Sequence, residues 1–526
     1  MKINKFIILT IIIIVLSIST YYLINEESFE IRDKAASMDE WGDERFGIGG
    51  EFWQQLTSYK IKWVYNWGWD VVGNHLFENG RENMILIGDP NYPKDICSSD
   101  GIIQNPPNCG GFKLICDLAK KYPYSYWSID NEPDWQGYMT PDKFARSYNA
   151  FYNEIKRCDK NAYISIGGLA WPKYNHPSKW ANKDLVNDPY IISLINSDPA
   201  NRDLYENTAW LTLFRKYYKD YYGTFPIVDF WNIHAYPWVG ANSEERFNDS
   251  KQEVEFFRKY MNFIGDAYKP LWVTEFSWMG SKCTTYEDCN SKSTYQIEYM
   301  TKMIEWLVSN KNAQKWFWYY GGEEIKWSDS NYTADIFYKS NELNLVGQKY
   351  LELARKYKDV QKPMINSLTI LEQTDNNIKI NIESSDDNSG IVEYLYSIGT
   401  KHDNNDIKNW EKITDIRTVY VMNIKNPPLQ YDSYYINIKV NDASGNESDV
   451  KSVNIRKSNN IQADPLKDLA PKGSPDGKIN ILDLTMVLSN WKWKKEPKDN
   501  ETDVNKDGKV DMLDVSLIIN NWTKKY

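Results

Sequence analysis

Two glutamates stand out by what surrounds them. Glu132 lies in Ser128-Ile129-Asp130-Asn131-Glu132-Pro133, and Glu275 lies in Trp272-Val273-Thr274-Glu275-Phe276. Each follows a run rich in apolar, aromatic or β-branched residues, so each is predicted to sit at the end of a strand. A pair of carboxyl groups facing one substrate can open a glycosidic acetal. One, protonated, assists the leaving oxygen, and the other, ionised, attacks the anomeric carbon. Nearness also separates their protonation states, because charge on one disfavours ionising the other. At a separation of ~5–5.5 Å no water fits between them and the anomeric configuration is retained.

The elements that must hold this pair are legible as repeats. Strand-like runs cover residues 45–52, 61–67, 83–89, 124–131, 162–169, 227–236, 271–276 and 314–321. Helical patterns lie between them, at 112–121, 141–158, 251–268 and 294–309, and 346–357 closes the series. Runs such as MILIG and YISIG are almost continuously apolar, as expected when both faces of a parallel sheet are covered. Eight strand–helix repeats predict a (β/α)8 barrel over residues 45–360. The alternative, a doubly wound open sheet, usually carries a Gly-rich phosphate loop before a helix. Gly47-Ile48-Gly49-Gly50 lacks that following helix. In a closed barrel the active groups project from the C-terminal strand ends. Glu132 ends the fourth predicted strand and Glu275 the seventh, on opposite sides of the mouth.

This arrangement resembles clan A of the glycoside hydrolases, whose members carry Asn-Glu-Pro after strand four and a second Glu after strand seven. The resemblance implies that Glu132 is the acid/base, that Glu275 is the nucleophile, and that Asn131 binds the sugar 2-hydroxyl. It makes His234 and Tyr236 of WNIHAYP candidates beside the nucleophile. The cluster Trp316–Tyr320 is expected to supply an aromatic floor, with Trp318 as the chosen residue, although alternation leaves the register open. Asn66 and Trp67 at the second strand end, and Trp135 after the acid, are further candidates for lining the cleft. Within the clan, KWVYNWGW, DNEPDW, VDFWNIHAY and WVTEF are most similar to the alkali-sensitive-linkage type of endo-β-1,3-glucanase. The function this implies is retaining cleavage of β-linked polysaccharide, β-1,3-glucan among the candidates, with no catalytic cofactor. The residues alone leave endo and exo action open. A non-catalytic carbohydrate-binding or surface-assembly role, with the barrel acting as a lectin, is the competing reading.

Past Lys362-Pro363 the pattern changes. Residues 364–456 hold short alternating runs separated by Asp/Asn/Gly turns, which predicts an all-β sandwich. NDASGNES resembles the last hairpin of bacterial immunoglobulin-like modules. A polar linker, 457–465, follows. The last part, 466–526, contains an internal repeat, PDGKINILDLTMVLSNW and NKDGKVDMLDVSLIINNW. The second copy places Asp503, Asn505, Asp507, Gly508, the Lys509 carbonyl, Asp511 and Asp514 at the spacing of an EF-hand-like calcium loop. The first copy offers Asp476, Asn480 and Asp483, and Asp468 in place of the missing first ligand. Two such loop–helix units resemble a type I dockerin, a small α module, which implies bound Ca2+ and a cohesin-bearing scaffold as partner. The positions that often hold a hydroxyl pair are Met512-Leu513 and Ile481-Leu482. That points either to a different cohesin specificity or to a module packed on its own neighbours.

Composition fits these readings. The 526-residue chain has 22 Trp, 38 Tyr and 18 Phe, more indole than packing alone demands, and indole faces suit the C–H faces of sugar rings. A net charge of −10 with no long basic run argues against a nucleic-acid partner. Lys2 and Lys5 precede an apolar stretch from Phe6 to about Leu23, so residues 1–25 read as an uncleaved signal anchor or a cleaved signal peptide, and 26–44 as a linker. Either way the protein is expected outside the cell, secreted or held at its surface by one membrane helix. Six cysteines allow 15 pairings. Local staples Cys97–Cys109 and Cys283–Cys289 would leave Cys116 and Cys158, both in predicted helices. With four His in the chain and no Cys/His ligand spacing, a zinc site is not expected.

Overall fold

The computed structural model describes residues 42–50, 61–66, 82–87, 98–99, 102–103, 110–134, 139–170, 185–237, 240–278, 282–283, 286–319, 331–332, 334, 336–339, 342–373, 377–413, 419–425, 433–456, 481–489, 502, 510, 514–515 and 518. The N-terminal apolar segment and most of the C-terminal loops lie outside these residues. Among those described, no helix is long and apolar enough to cross a membrane.

Eight parallel strands form the central sheet: β1 (Phe46–Gly49), β2 (Trp63–Asn66), β3 (Glu82–Ile87), β4 (Tyr126–Ile129), β5 (Tyr163–Ile166), β6 (Trp231–His234), β7 (Leu271–Phe276) and β8 (Lys315–Tyr319). Their order is β5-β4-β3-β2-β1-β8-β7-β6. A parallel bridge between Leu169 and Ile233 joins the two ends, with His234 N donating to Leu169 O at 2.8 Å, and so nearly closes a barrel. All eight strands fall within or close to the expected runs. Around them lie α1 (Gly110–Lys121), α2 (Pro141–Cys158), α3 (Pro189–Ser197), α4 (Ala209–Tyr222), α5 (Ser243–Phe263), α6 (Tyr286–Asn310) and α7 (Leu345–Lys356). The expected helix 251–268 instead spans Ser243–Phe263, because Asn242 caps it by accepting from Glu245 N and Gly265 at φ 84° follows its end.

Alternation sorts the strand residues into two shells. Phe46, Ile48, Trp127, Ile129, Ile233, Val273, Trp316 and Trp318 point outwards into the strand–helix core. Trp63, Tyr65, Met84, Leu86, Tyr163, Phe230, Trp272 and Phe317 fill the barrel interior. The glycines of β1 serve this packing: a Cβ on Gly47 would lie 2.4 Å from the Phe317 ring. A Cys116–Cys158 disulfide staples α1 to α2 across a sequence separation of 42. Closing a loop of that length removes conformational freedom from the unfolded chain equivalent to about 4 kcal/mol.

Seven further strands follow: β9 (Met364–Gln373), β10 (Asn377–Ser385), β11 (Ile391–Gly399), β12 (Lys408–Ile413), β13 (Val419–Lys425), β14 (Ser433–Asp442) and β15 (Lys451–Arg456). They form a sheet of order β9-β10-β13 and another of order β12-β11-β14-β15. Ile378, Ile380, Ile382, Tyr394, Ile436, Ile438 and Val440 are buried. Side chains from the second sheet cover the N-terminal end of the barrel. Lys412 Nζ sits 3.7 Å over the Tyr163 ring and 2.7 Å from Glu393 Oε1, while Lys315 Nζ donates to Ala443 O at 3.1 Å. In the C-terminal unit α8 (Ile481–Ser489) carries Val487, which packs with Val515 and Ile518.

Candidate active site

At the C-terminal mouth three strand ends converge. Strand β4 runs into Asp130, Asn131 and Glu132. Both Asp130 (φ 72°) and Glu132 (φ 47°) adopt the left-handed conformation, which costs an L-residue roughly 1–2 kcal/mol and persists only where neighbours enforce it. The neighbours are visible. Asp130 N donates to Ile87 O, Glu132 N donates to Gly168 O at 3.0 Å, and Asn131 N donates to the Asp130 carboxylate at 2.7 Å.

Strand β7 carries Glu275, and its register is broken there. Against β6 the pairing jumps from Ile233–Val273 to His234–Glu275, and against β8 it jumps from Trp316–Val273 to Trp318–Phe276. Trp272 faces in and Val273 faces out. Strict alternation would send Glu275 outwards. The bulge adds one residue, brings Glu275 to the interior face, and sends Phe276 out against Trp318.

His234 joins the two. Its Nδ1 lies 2.8 Å from Glu132 Oε1 and 3.3 Å from Glu275 Oε2. One oxygen from each carboxylate and the ring nitrogen all lie within 4.8 Å of one another. Tyr236 donates its hydroxyl to Glu275 Oε2 at 2.6 Å, and Glu275 Oε1 is buried without a hydrogen-bond partner. The Glu132 side chain is 18 % exposed and that of Glu275 only 5 %. Burial pushes the Glu275 carboxyl up to about 7; His234 opposes this, the charge of Glu132 adds to it, and the Tyr236 hydroxyl opposes it. Burial of the His234 ring works against its charged form, but Glu275 and Glu132 outweigh it and hold its pKa above the ordinary imidazole value.

The supporting residues are packed closely. Gly168 leaves room for the imidazole: a Cβ there would lie 2.2 Å from His234 Nε2. Asn131 accepts the Tyr65 hydroxyl on its side-chain oxygen at 2.9 Å, which fixes the orientation of the amide. Below the site Asn232 donates to Ser128 Oγ at 3.2 Å and accepts from Ser165 Oγ at 2.8 Å, all within the sealed interior.

The structure thus brings together Glu132, Glu275, His234, Tyr236 and Asn131. Trp318 is a correction. It is fully buried, donates its indole N–H to Ala334 O at 2.7 Å and packs on Phe276, Tyr299 and Tyr350 in the strand–helix layer. The residue of that strand facing the site is Tyr319, half-buried, with its ring centroid 5.7 Å from that of Tyr236. Two-residue periodicity in Lys315–Tyr319 could have found it once Phe317 was placed inside. Asp134, two residues after Glu132, is buried and accepts from Ala170 N at 3.0 Å, which ties two loops together. Asn66 ends β2; its side chain, and Trp67 and Trp135 entirely, lie outside the described residues. So do Asp503, Asn505, Asp507, Lys509, Asp511, Asp468, Asp476 and Asn480. The last position of each predicted calcium loop is described: Asp483 and Asp514 are both fully buried. A cavity of about 530 Å3 lies at the opposite, N-terminal end of the barrel, lined by Trp63, Lys315 and Lys412 among others, and no predicted site residue borders it.

Comparison with known proteins bears on the same region. Residues 129–350 match the model described as glycosyl hydrolase catalytic core, and residues 475–522 match the dockerin type I domain. No curated protein matches the chain. Similar solved structures include a GH128 exo-β-1,3-glucanase from Aureobasidium namibiae, at 12 % identity over 60 % of this chain and 97 % of that one, with a TM-score of 0.36. An endo-β-1,4-mannanase from Thermotoga petrophila follows at 11 % identity over 80 % and 98 %, TM-score 0.36. A β-xylosidase from Caulobacter crescentus matches at 11 % identity over 73 % and 94 %, TM-score 0.39. Residues 129–350 thus carry a glycosyl hydrolase catalytic core, and residues 475–522 a type I dockerin domain.

Proposed function

We propose that this protein cleaves β-linked polysaccharide with retention of configuration, with Glu132 as acid/base and Glu275 as nucleophile. The observation that carries this is the approach of one oxygen from each carboxylate to within 4.8 Å of the other, both beside the same imidazole nitrogen. An inverting pair stands roughly 6.5–9.5 Å apart to admit a water. The roles follow from the resemblance to clan A, and two features of the surroundings are compatible with them. One oxygen of Glu275 is held by Tyr236, and among the described residues Oε1 has no partner, which leaves it free to attack. Glu132 is the more exposed, and an acid/base must meet water in the second half-reaction.

In the first step Glu275 attacks the anomeric carbon as the Glu132 proton passes to the departing glycosidic oxygen. The C–O bond breaks and a glycosyl ester forms. In the second step Glu132 takes a proton from water, the water oxygen bonds to the anomeric carbon, and Glu275 leaves as carboxylate. Asn131, held by Tyr65, is placed for the sugar 2-hydroxyl. The motifs shared with alkali-sensitive-linkage glucanases favour β-1,3-glucan as substrate. The dockerin domain supports calcium binding, cohesin docking and an extracellular setting, secreted or surface-held.

Glu132→Gln and Glu275→Gln are each expected to lower kcat on β-1,3-glucan by about 10²–10⁴-fold or more. Near-normal turnover in either variant removes the assignment, and substrate binding without cleavage by the wild type would favour a lectin. Tyr236→Phe removes a donor that stabilises ionised Glu275, whose carboxyl already sits at about 7. Nucleophile activity is present above that pKa and lost as pH falls through it. The acidic limb of the kcat/KM profile is therefore expected to move to higher pH in Tyr236→Phe; a limb that stays put or moves down contradicts the account. For the C-terminal domain, calorimetric titration with a type I cohesin is expected to show binding in calcium that EDTA abolishes and Asp514→Asn weakens. Calcium-independent binding, or none, rules that partner out.

A further inference from the structure

A second cluster of acidic side chains lies where the barrel meets the following sheets, unconnected with catalysis. Asp359 follows α7, Asp386 lies in the β10–β11 turn, and Asp442 ends β14. One carboxylate oxygen from each lies within 4.8 Å of the other two. Asp359 and Asp442 are 6 % and 2 % exposed.

The hydrogen bonds of the cluster come from neutral donors. Asp442 accepts from Ser444 N at 2.9 Å, Asn446 N at 2.8 Å and Asn446 Nδ2 at 2.9 Å. Asp386 Oδ2 accepts from Asn388 N at 3.2 Å and from Gly390 N. Asp359 Oδ1 accepts from Gln361 N at 2.9 Å and Asn388 Nδ2 at 3.2 Å. Asp359 Oδ2, though buried, has no partner, and neither has Ser389 Oγ on the same turn as Asp386. Among the described residues no lysine or arginine pairs with any of the three. The nearby Arg45 is engaged by Asp43, whose Oδ2 accepts from Asp359 N and Ser444 Oγ at 2.8 Å each. Three carboxylates thus converge, one of them with a buried oxygen that has no partner, and among the described residues no cationic side chain offsets them. Burial, with repulsion from Asp386 and Asp359 added, pushes the Asp442 carboxyl up to about 6.

We propose that Asp359, Asp386 and Asp442 bind a divalent cation, calcium by preference, that clamps the chain leaving the barrel to two turns of the adjoining sheets. Three oxygens within 4.8 Å of one another leave a point no more than about 2.8 Å from each. A slight contraction reaches the ~2.3–2.6 Å of calcium–oxygen bonds, whereas magnesium needs ~2.0–2.1 Å and a stricter octahedron. Neutral amide donors on the outer lone pairs orient the carboxylates, as outer partners do around metal ligands.

The test uses the full chain with Asp483→Asn and Asp514→Asn, which disable the two predicted dockerin loops. Calcium added to EDTA-stripped protein is expected to raise the main thermal transition by a few degrees, about 2–6 °C at saturating ion. Adding Asp386→Asn or Asp359→Asn is expected to abolish the rise and lower calorimetric calcium stoichiometry by one. A main transition that ignores calcium in the dockerin-disabled chain overturns the site, even if the aspartate variants fail to fold. A rise that persists undiminished in both aspartate variants also overturns it.

Discussion

Two carboxylates held within 4.8 Å of each other, with one imidazole nitrogen between them, set the terms for everything else at the barrel mouth. Two unit charges at that distance repel by about 3.5 kcal/mol at an effective dielectric near 20. The pair therefore does not rest doubly charged without compensation, and His234 and the Tyr236 hydroxyl supply it. The same repulsion is what glycosidic chemistry uses: one carboxyl keeps a proton while the other attacks. When the nucleophile's charge is consumed in a glycosyl bond, its hold on the partner's proton disappears and the acid becomes a base.

Holding such a pair requires local structure that regular elements do not give. Glu132 sits in left-handed backbone and Glu275 beside a bulge. Both depart from ordinary geometry at the position proposed to be catalytic, and both are tied by main-chain bonds to neighbouring segments. Gly168, 36 residues from Glu132 and 107 from Glu275 along the chain, has no room for a side chain because the imidazole occupies that space. The sheets after the barrel cover its far end through Lys412, Glu393 and Lys315, so these contacts lie at the pole opposite the carboxylate pair.

The barrel was readable from the alternation of apolar runs and helical periods because every strand is buried on both faces. The pairing of Glu132 with Glu275 was readable from strand count alone. What escaped was direction. Lys315–Tyr319 is aromatic on both faces, so sequence could not say that Trp318 packs outwards while Tyr319 faces the site. The bulge at Thr274–Glu275 was equally hidden, since plain alternation points Glu275 away from the mouth. The convergence of Asp359, Asp386 and Asp442 joins segments up to 83 residues apart, and no local pattern announces it.

The most direct test of the carboxylate pair is chemical. A β-glucosyl donor with fluorine at C2 slows both steps, and a reactive leaving group keeps the first the faster. Peptide mass spectrometry of the treated enzyme should then find a fluoroglucosyl ester on the segment holding Glu275, with activity lost in proportion. Label on a different carboxylate, or continued turnover to inverted product with no ester, would contradict the account.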